Sequence, residues 1–144
     1  MRALLTVLAL IAALVLNGCT GISTDTVKTD LEAGAILLDP GSPGINETVN
    51  VTVKMRNIGA ASNKIGFVVR LLVTKDGLDV SDVQQRYEGA INENELVEVS
   101  FSAAITDVQA GTYLITSYLD YDDEVDEVNE DNNTSSTNLV INAG

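Results

Sequence analysis

The residues best suited to chemistry lie together in DYDDEVDEVNEDNNTSS, Asp120 to Ser136. Twelve residues, Asp120 to Asp131, carry eight carboxylates. Oxygen donors at that density suit a hard divalent cation such as calcium, which takes about six to eight of them. Asp120, Asp122, Glu124 and Asp126 fall at every second position and Asp131 at the twelfth, a spacing like that of an EF-hand loop. Val125, however, stands where that loop needs a Gly, Asp131 stands where it needs a bidentate Glu, and no helix flanks either side. The EF-hand is excluded. Two readings remain: a looser calcium site in a loop between strands, or solvated carboxylates that repel one another.

The asparagines of the same stretch suit a turn. Their side chains tolerate positive φ and bond their own backbone two residues on. Asn129, Asn132 and Asn133, with Glu127 and Glu130 binding backbone N–H groups, would deliver the chain into a final strand. Asn46, Asn50, Asn132 and Asn133 also head glycosylation sequons. Asn50 is expected on the outward face of its strand, and Asn132 and Asn133 in an accessible loop.

Catalysis finds little to work with. The chain has no His, one Cys, no Gly-rich phosphate loop and no GxSxG. Paired carboxylates serve glycosidases, but there is no Trp to build a sugar platform. The chain reads as a non-enzyme. Its net charge of −13 excludes nucleic acid, whose affinity comes from Lys and Arg. It equally excludes a polybasic membrane patch.

The elements that must position these groups are strands. TVNVTVKMRN places Val49, Val51, Val53 and Met55 on one face and Asn50, Thr52, Lys54 and Arg56 on the other. FVVRLLVT aligns Phe67, Val69, Leu71 and Val73. LVEVSFSA buries Val97, Val99 and Phe101, and TYLITSYLDY groups Tyr113, Ile115, Leu119 and Tyr121. AILL opens the domain and TNLVIN closes it, with turn signals such as DPGSPG, NIGAASN and KDG between the runs. The one helical turn suggested lies near Val80 to Gln85. About seven short strands in roughly 110 residues imply an all-β, immunoglobulin-like antiparallel sandwich. Asp107 and AGTY resemble the approach to strand F of such sandwiches. There a Tyr bonds back to the corner backbone. Tyr113 is either that residue or an ordinary core Tyr.

Ahead of the sandwich stands MRALLTVLALIAALVLNGCT. The apolar run Ala3–Leu16 is short for a bilayer span and fits the core of a secretory signal. It ends in Leu16-Asn17-Gly18-Cys19, which resembles a lipobox. Cys19 is the only Cys, so no intrachain disulfide forms, and lipidation is the expected use of its thiol. The expected organisation is residues 1–18 as signal peptide, 19–34 as polar tether and 35–144 as sandwich. The protein would then be exported and anchored at a bacterial or archaeal cell surface by lipid.

VNVTVKMRNIGAAS, GAINENELVEVSF and AGTYLITSYLDYDDEVDEVNEDNNTSSTNLVI together resemble a CARDB domain, the cell-adhesion-related domain found in bacteria. Asp120, Val125, Glu127, Asn129, Glu130, Asn132 and Asn133 fill the family's carboxyl-terminal pattern, and Asn57 and Gly59 its N-x-G. The likeness runs from about Ala35 to Asn142. The unusually acidic Asp122-Asp123-Glu124 departs from the pattern. The resemblance implies an extracellular binding, adhesion or spacer module without catalysis, its partner an envelope protein or polysaccharide. Two alternatives stand beside it: a calcium-dependent module using residues 120–131, and a filament subunit that keeps its apolar helix.

Overall fold

The computed structural model describes residues 28–106 and 108–143. The apolar run, Gly18, Cys19, most of the expected tether and Asp107 lie outside the described residues. Among the described residues no helix is long and apolar enough to cross a membrane.

Seven strands form: β1 (Leu31–Asp39), β2 (Val49–Asn57), β3 (Ser62–Lys75), β4 (Leu78–Ile91), β5 (Leu96–Ile105), β6 (Gly111–Tyr118) and β7 (Thr134–Ile141). They make two antiparallel sheets, one ordered β1-β2-β5 and the other β4-β3-β6-β7. The period-two runs explain the pairing. Val49, Val51, Val53 and Met55 of β2 are fully buried, as are Phe67, Val69, Leu71 and Val73 of β3. Both are central strands, and their inward faces meet across the sandwich. Each such side chain stabilises the fold by roughly 1.5–3 kcal/mol relative to exposure. The Tyr113 hydroxyl donates to the Gln109 carbonyl at 2.8 Å and accepts the Gln109 N–H at 3.2 Å. It therefore closes the corner into β6, which decides between the two readings that the sequence left open for Tyr113.

Three expectations change. The helical turn at Val80–Gln85 is absent, and those residues belong to β4, a strand of 14 residues like its partner β3. Val80 and Val83 imitate a helical spacing, but Val80 is an extra residue: Val73 faces Ser81 while Thr74 faces Asp79. This bulge breaks the alternation that identifies strands. Tyr121 leaves the core face. The strand ends at Tyr118, Asp120 adopts φ 45°, and Tyr121 is 48% exposed with Arg70 stacked 4.6 Å from its ring centre. Finally, β1 begins at Leu31, inside the stretch read as tether. Glu32 and Gly34 mask the strand signal there, while Leu31 is fully buried.

The two ends of the sandwich carry different parts of the chain. The lead-in segment Lys28–Asp30, the β2–β3 turn and the β6–β7 loop meet at one end. At the other, the Asn142 N–H donates to the Pro43 carbonyl, so the chain leaves opposite to where it comes in.

Candidate functional site

The lead-in segment is gripped from two sides. On one side Ile58 N–H donates to the Asp30 carbonyl at 2.7 Å and Ala60 N–H to that of Lys28 at 2.8 Å. On the other, Val128 N–H donates to the Thr29 carbonyl at 3.2 Å. Asn57, fully buried, knots the first side together. Its Oδ1 accepts the N–H groups of Asp30 and Gly59, and its Nδ2 donates to the carbonyls of Ala60 and Ile91. Gly59 is required by closeness: a Cβ there would lie 2.5 Å from the Lys28 carbonyl oxygen. The N-x-G of the sequence is therefore the seat of the incoming chain.

The β6–β7 loop supplies the second side, and its acids divide into two groups. Positive φ at Asp120 and Asp123 turns the chain away from β6. This carries Asp122 and Glu124 onto Arg86 of β4, with Asp122 Oδ1 also accepting the Val68 N–H at 2.9 Å. Arg86 and the Val68 N–H hold the Asp122 carboxyl below the usual range, despite a cost from partial burial that is the largest single influence. Asp126 pairs with Lys28. Asp131 is exposed, and its N–H caps onto Asn129 Oδ1 at 3.1 Å.

The inner group is Asp120, Glu127 and Glu130, each of which brings one carboxylate oxygen within 4.8 Å of those of the other two. Asp120 accepts the N–H groups of Glu124 (3.1 Å) and Val125 (3.0 Å), which closes the loop on itself. Glu127, 5% exposed, reaches across to the Leu31 N–H with one oxygen and accepts Asn133 Nδ2 at 2.8 Å with the other. Glu130 accepts the Glu127 N–H at 3.0 Å. Asn132 Nδ2 donates to Asp30 Oδ1 at 2.9 Å. Glu127 thus joins the loop to the first residue of β1, while Asp120 and Glu130 bond within the loop.

Burial dominates the electrostatics of Glu127 and Asp120. It pushes the Glu127 carboxyl up to about 7, against the pull of the Leu31 N–H and Asn133 and with added push from the charges of Glu130 and Asp120. It raises Asp120 as well, where the Val125 and Glu124 N–H groups only partly offset it. The Oδ1 atoms of Asn132 and Asn133 are buried without a hydrogen-bond partner among the described residues. An all-oxygen donor set with two buried carboxyls fits a hard divalent cation.

Of the five acids expected to ligate, only Asp120 stands in this group. Asp122, Glu124, Asp126 and Asp131 point elsewhere because the loop turns instead of running straight. Glu127 and Glu130, read as turn residues, are the other two members. No local signal in the sequence marks Glu127, because residues 121–129 form an irregular loop on which no period is imposed. Accessibility also separates the sequons. Asn46 and Asn50 are exposed, with Asn50 Oδ1 accepting the Ala103 N–H. Asn133 is 8% exposed and Asn132 half-buried, and both spend the Nδ2 that a glycan would need.

The chain matches the CARDB family model over residues 28–137. It is similar to a CARDB domain of Pyrococcus furiosus solved in complex with di-metal ions, at 22% identity and a TM-score of 0.61, covering 81% of this chain and 96% of that one. A domain of a protein attributed to the cell surface of Methanosarcina acetivorans is similar at 26% identity and a TM-score of 0.61, covering 81% and 95%. A Paenibacillus cycloisomaltooligosaccharide glucanotransferase shares the fold at 14% identity and a TM-score of 0.61, with 81% of this chain matching 15% of the enzyme. No curated protein matches the chain.

Proposed function

Because the chain belongs to the CARDB family, non-catalytic modules that occur in cell-surface proteins, we propose that it is a surface lipoprotein whose single sandwich is a binding or spacer module with a divalent cation at its membrane-side junction. Lipidated Cys19 holds the chain at the membrane, and the sandwich presents its surface to an envelope protein or polysaccharide. One observation carries the reading. Three carboxylates, two of them buried and raised in pKa, converge where the lead-in segment becomes β1. A cation there would neutralise charge that the protein itself leaves uncompensated. The di-metal ions of the Pyrococcus domain support a cation as the ligand of this chain too.

In this reading the chain's own residues do the mechanical work. Asn57 and Gly59 seat residues 28–30, Glu127 fixes the first N–H of β1, and Asn132 holds Asp30. Asp120, Glu127 and Glu130 would hold the cation. The junction is then stiff, and the far end of the sandwich stands away from the membrane. Two experiments on the full chain test this. Cys19→Ala should abolish lipid labelling and membrane retention; unchanged retention rejects the anchor. Hydrogen exchange at the Leu31 amide should slow when calcium replaces chelator; an unchanged rate rejects the cation-stiffened junction.

A further inference from the structure

We infer that Asn46 is an N-glycosylation site, which takes an oligosaccharide from an isoprenoid-phosphate donor, and that it alone of the four sequons is used. This use rests on the export reading above, and on neither the lipid anchor nor the cation.

The sequons headed by Asn46, Asn50, Asn132 and Asn133 stand in different settings. An acceptor belongs in a surface loop. Its amide must be open to the transferase, and the chain must bend so that the hydroxyl two residues on comes against that amide. Asn132 and Asn133 fail on access. Asn132 is half-buried with its Nδ2 on Asp30 at 2.9 Å, and Asn133 is buried with its Nδ2 on Glu127 at 2.8 Å. Asn50 fails on its backbone. It lies in β2, the middle strand of its sheet, facing Asp39 of β1. Residues two apart in a strand stand about 7 Å from each other, so Thr52 cannot fold back onto Asn50. Both side chains are also engaged, Asn50 Oδ1 by the Ala103 N–H at 2.9 Å and Thr52 Oγ1 by Ser100 Oγ at 3.1 Å.

Asn46 meets both needs. The Glu47 N–H donates to the Gly44 carbonyl at 3.3 Å and Glu47 Oε2 accepts the Gly44 N–H at 2.9 Å, which closes a tight turn over Gly44–Glu47. Asn46 is the third residue of that turn, at φ 60°, a left-handed conformation that asparagine adopts more readily than most residues. The turn is pinned to the sandwich, because the Asn46 N–H donates to the Val108 carbonyl at 3.4 Å and Gly44 bridges to Asn142. Asn46, Glu47 and Thr48 are all exposed and precede the first residue of β2. Among the described residues nothing engages the Asn46 amide or the Thr48 hydroxyl. A fixed backbone thus offers a free amide and a free hydroxyl at the end of the sandwich opposite the lead-in segment. In the transfer, Asn46 Nδ2 forms a bond to the anomeric carbon of the oligosaccharide. The bond from that carbon to the phosphate oxygen breaks, the lipid phosphate leaves with the electron pair, and one Nδ2 proton passes to a base of the membrane-bound oligosaccharyl transferase. The carboxamide oxygen and the turn are left as they were.

Site-resolved mass spectrometry of the full chain, purified from the cells that make it, tests the site. Thr48→Ala and Thr52→Ala variants are expressed in the same cells. Both threonines lie outside the core, so folding is not at stake. Wild type should carry a hexose-containing mass on Asn46, with Asn50, Asn132 and Asn133 bare. Thr48→Ala should lose that mass completely, and Thr52→Ala should keep it. Protease added to intact cells reports export separately. A chain that this protease reaches but whose Asn46 is bare overturns the inference and leaves export standing. A chain that it does not reach, with Asn46 bare, rejects export and the inference together. A glycan on Asn50, Asn132 or Asn133, or a mass on Asn46 that survives Thr48→Ala, also overturns the inference.

Discussion

Removing the charge from Glu127 should stabilise the protein at mildly alkaline pH while costing little in acid. Burial raises this carboxyl from its ordinary 4.5 to about 7. A group raised in the folded state binds its proton more tightly there than in the unfolded chain. Its stabilising contribution is complete below about pH 4.5 and is lost as pH rises through about 7. A tenfold difference in proton affinity between the two states is worth about 1.36 kcal/mol, so the full swing is about 3 kcal/mol. The chain has no His, which leaves the window between about pH 5 and 8 to Glu127, with raised Asp120 acting in the same direction. The assay is urea unfolding in chelator at about pH 5 and about pH 8. Wild type should lose on the order of 2–3 kcal/mol across that interval. Glu127→Gln keeps an oxygen for the Leu31 N–H, while its new NH2 takes the place of the oxygen that accepts Asn133 Nδ2 and is matched when the Asn133 amide turns its unpaired Oδ1 toward it. It should be nearly flat and should exceed wild type at the higher pH. With saturating calcium the wild-type loss should shrink, because a bound cation favours the ionised ligands. A flat wild-type profile in chelator, or a Glu127→Gln variant weaker than wild type at about pH 8, would refute the electrostatic reasoning.

Other substitutions probe the frame around the cluster. Asn57→Ala strands the N–H groups of Asp30 and Gly59 and the carbonyls of Ala60 and Ile91, and should cost about 2–4 kcal/mol in chemical denaturation. Gly59→Ala should push residues 28–30 off their seat, read as faster exchange at Ile58 and Ala60 with β3 and β6 unaffected. Tyr113→Phe removes the hydroxyl that closes the corner at Gln109 and should cost about 1 kcal/mol, measured by the same denaturation.

Much of the fold was legible because central strands buried on one face advertise themselves. β2 alternates without a lapse from Val49 to Arg56, and β3 shows its inward set clearly. β4 was hidden because it overhangs: with Gln85 and Gly89 on its inner face and a bulge at Val80, hydrophobic burial imposes no alternation on it. β1 was clipped for the related reason that Leu31 is its only fully buried residue before a bulge. The candidate site was half legible. The acidic stretch marked the right loop, but spacing along a chain locates ligands only where the backbone path is known. Two left-handed residues, Asp120 and Asp123, bend that path and exchange Asp122, Glu124 and Asp126 for Glu127 and Glu130. The ion pairs to Arg86 and Lys28, distant in sequence, could not be read from the loop itself.

The central claim is that Asp120, Glu127 and Glu130 together take a divalent cation. The direct measurement is the melting temperature of the full chain and of its Glu130→Gln variant at about pH 8, in chelator and then with calcium, magnesium and manganese in turn. A ligand at about 100 times its Kd stabilises by about 2.7 kcal/mol, which is several degrees for a domain of this size. Wild type should gain that increase with at least one of the cations, and Glu130→Gln should lose most of it. Identical wild-type melting in chelator and in all three cations, or an equal gain in the variant, would contradict the account.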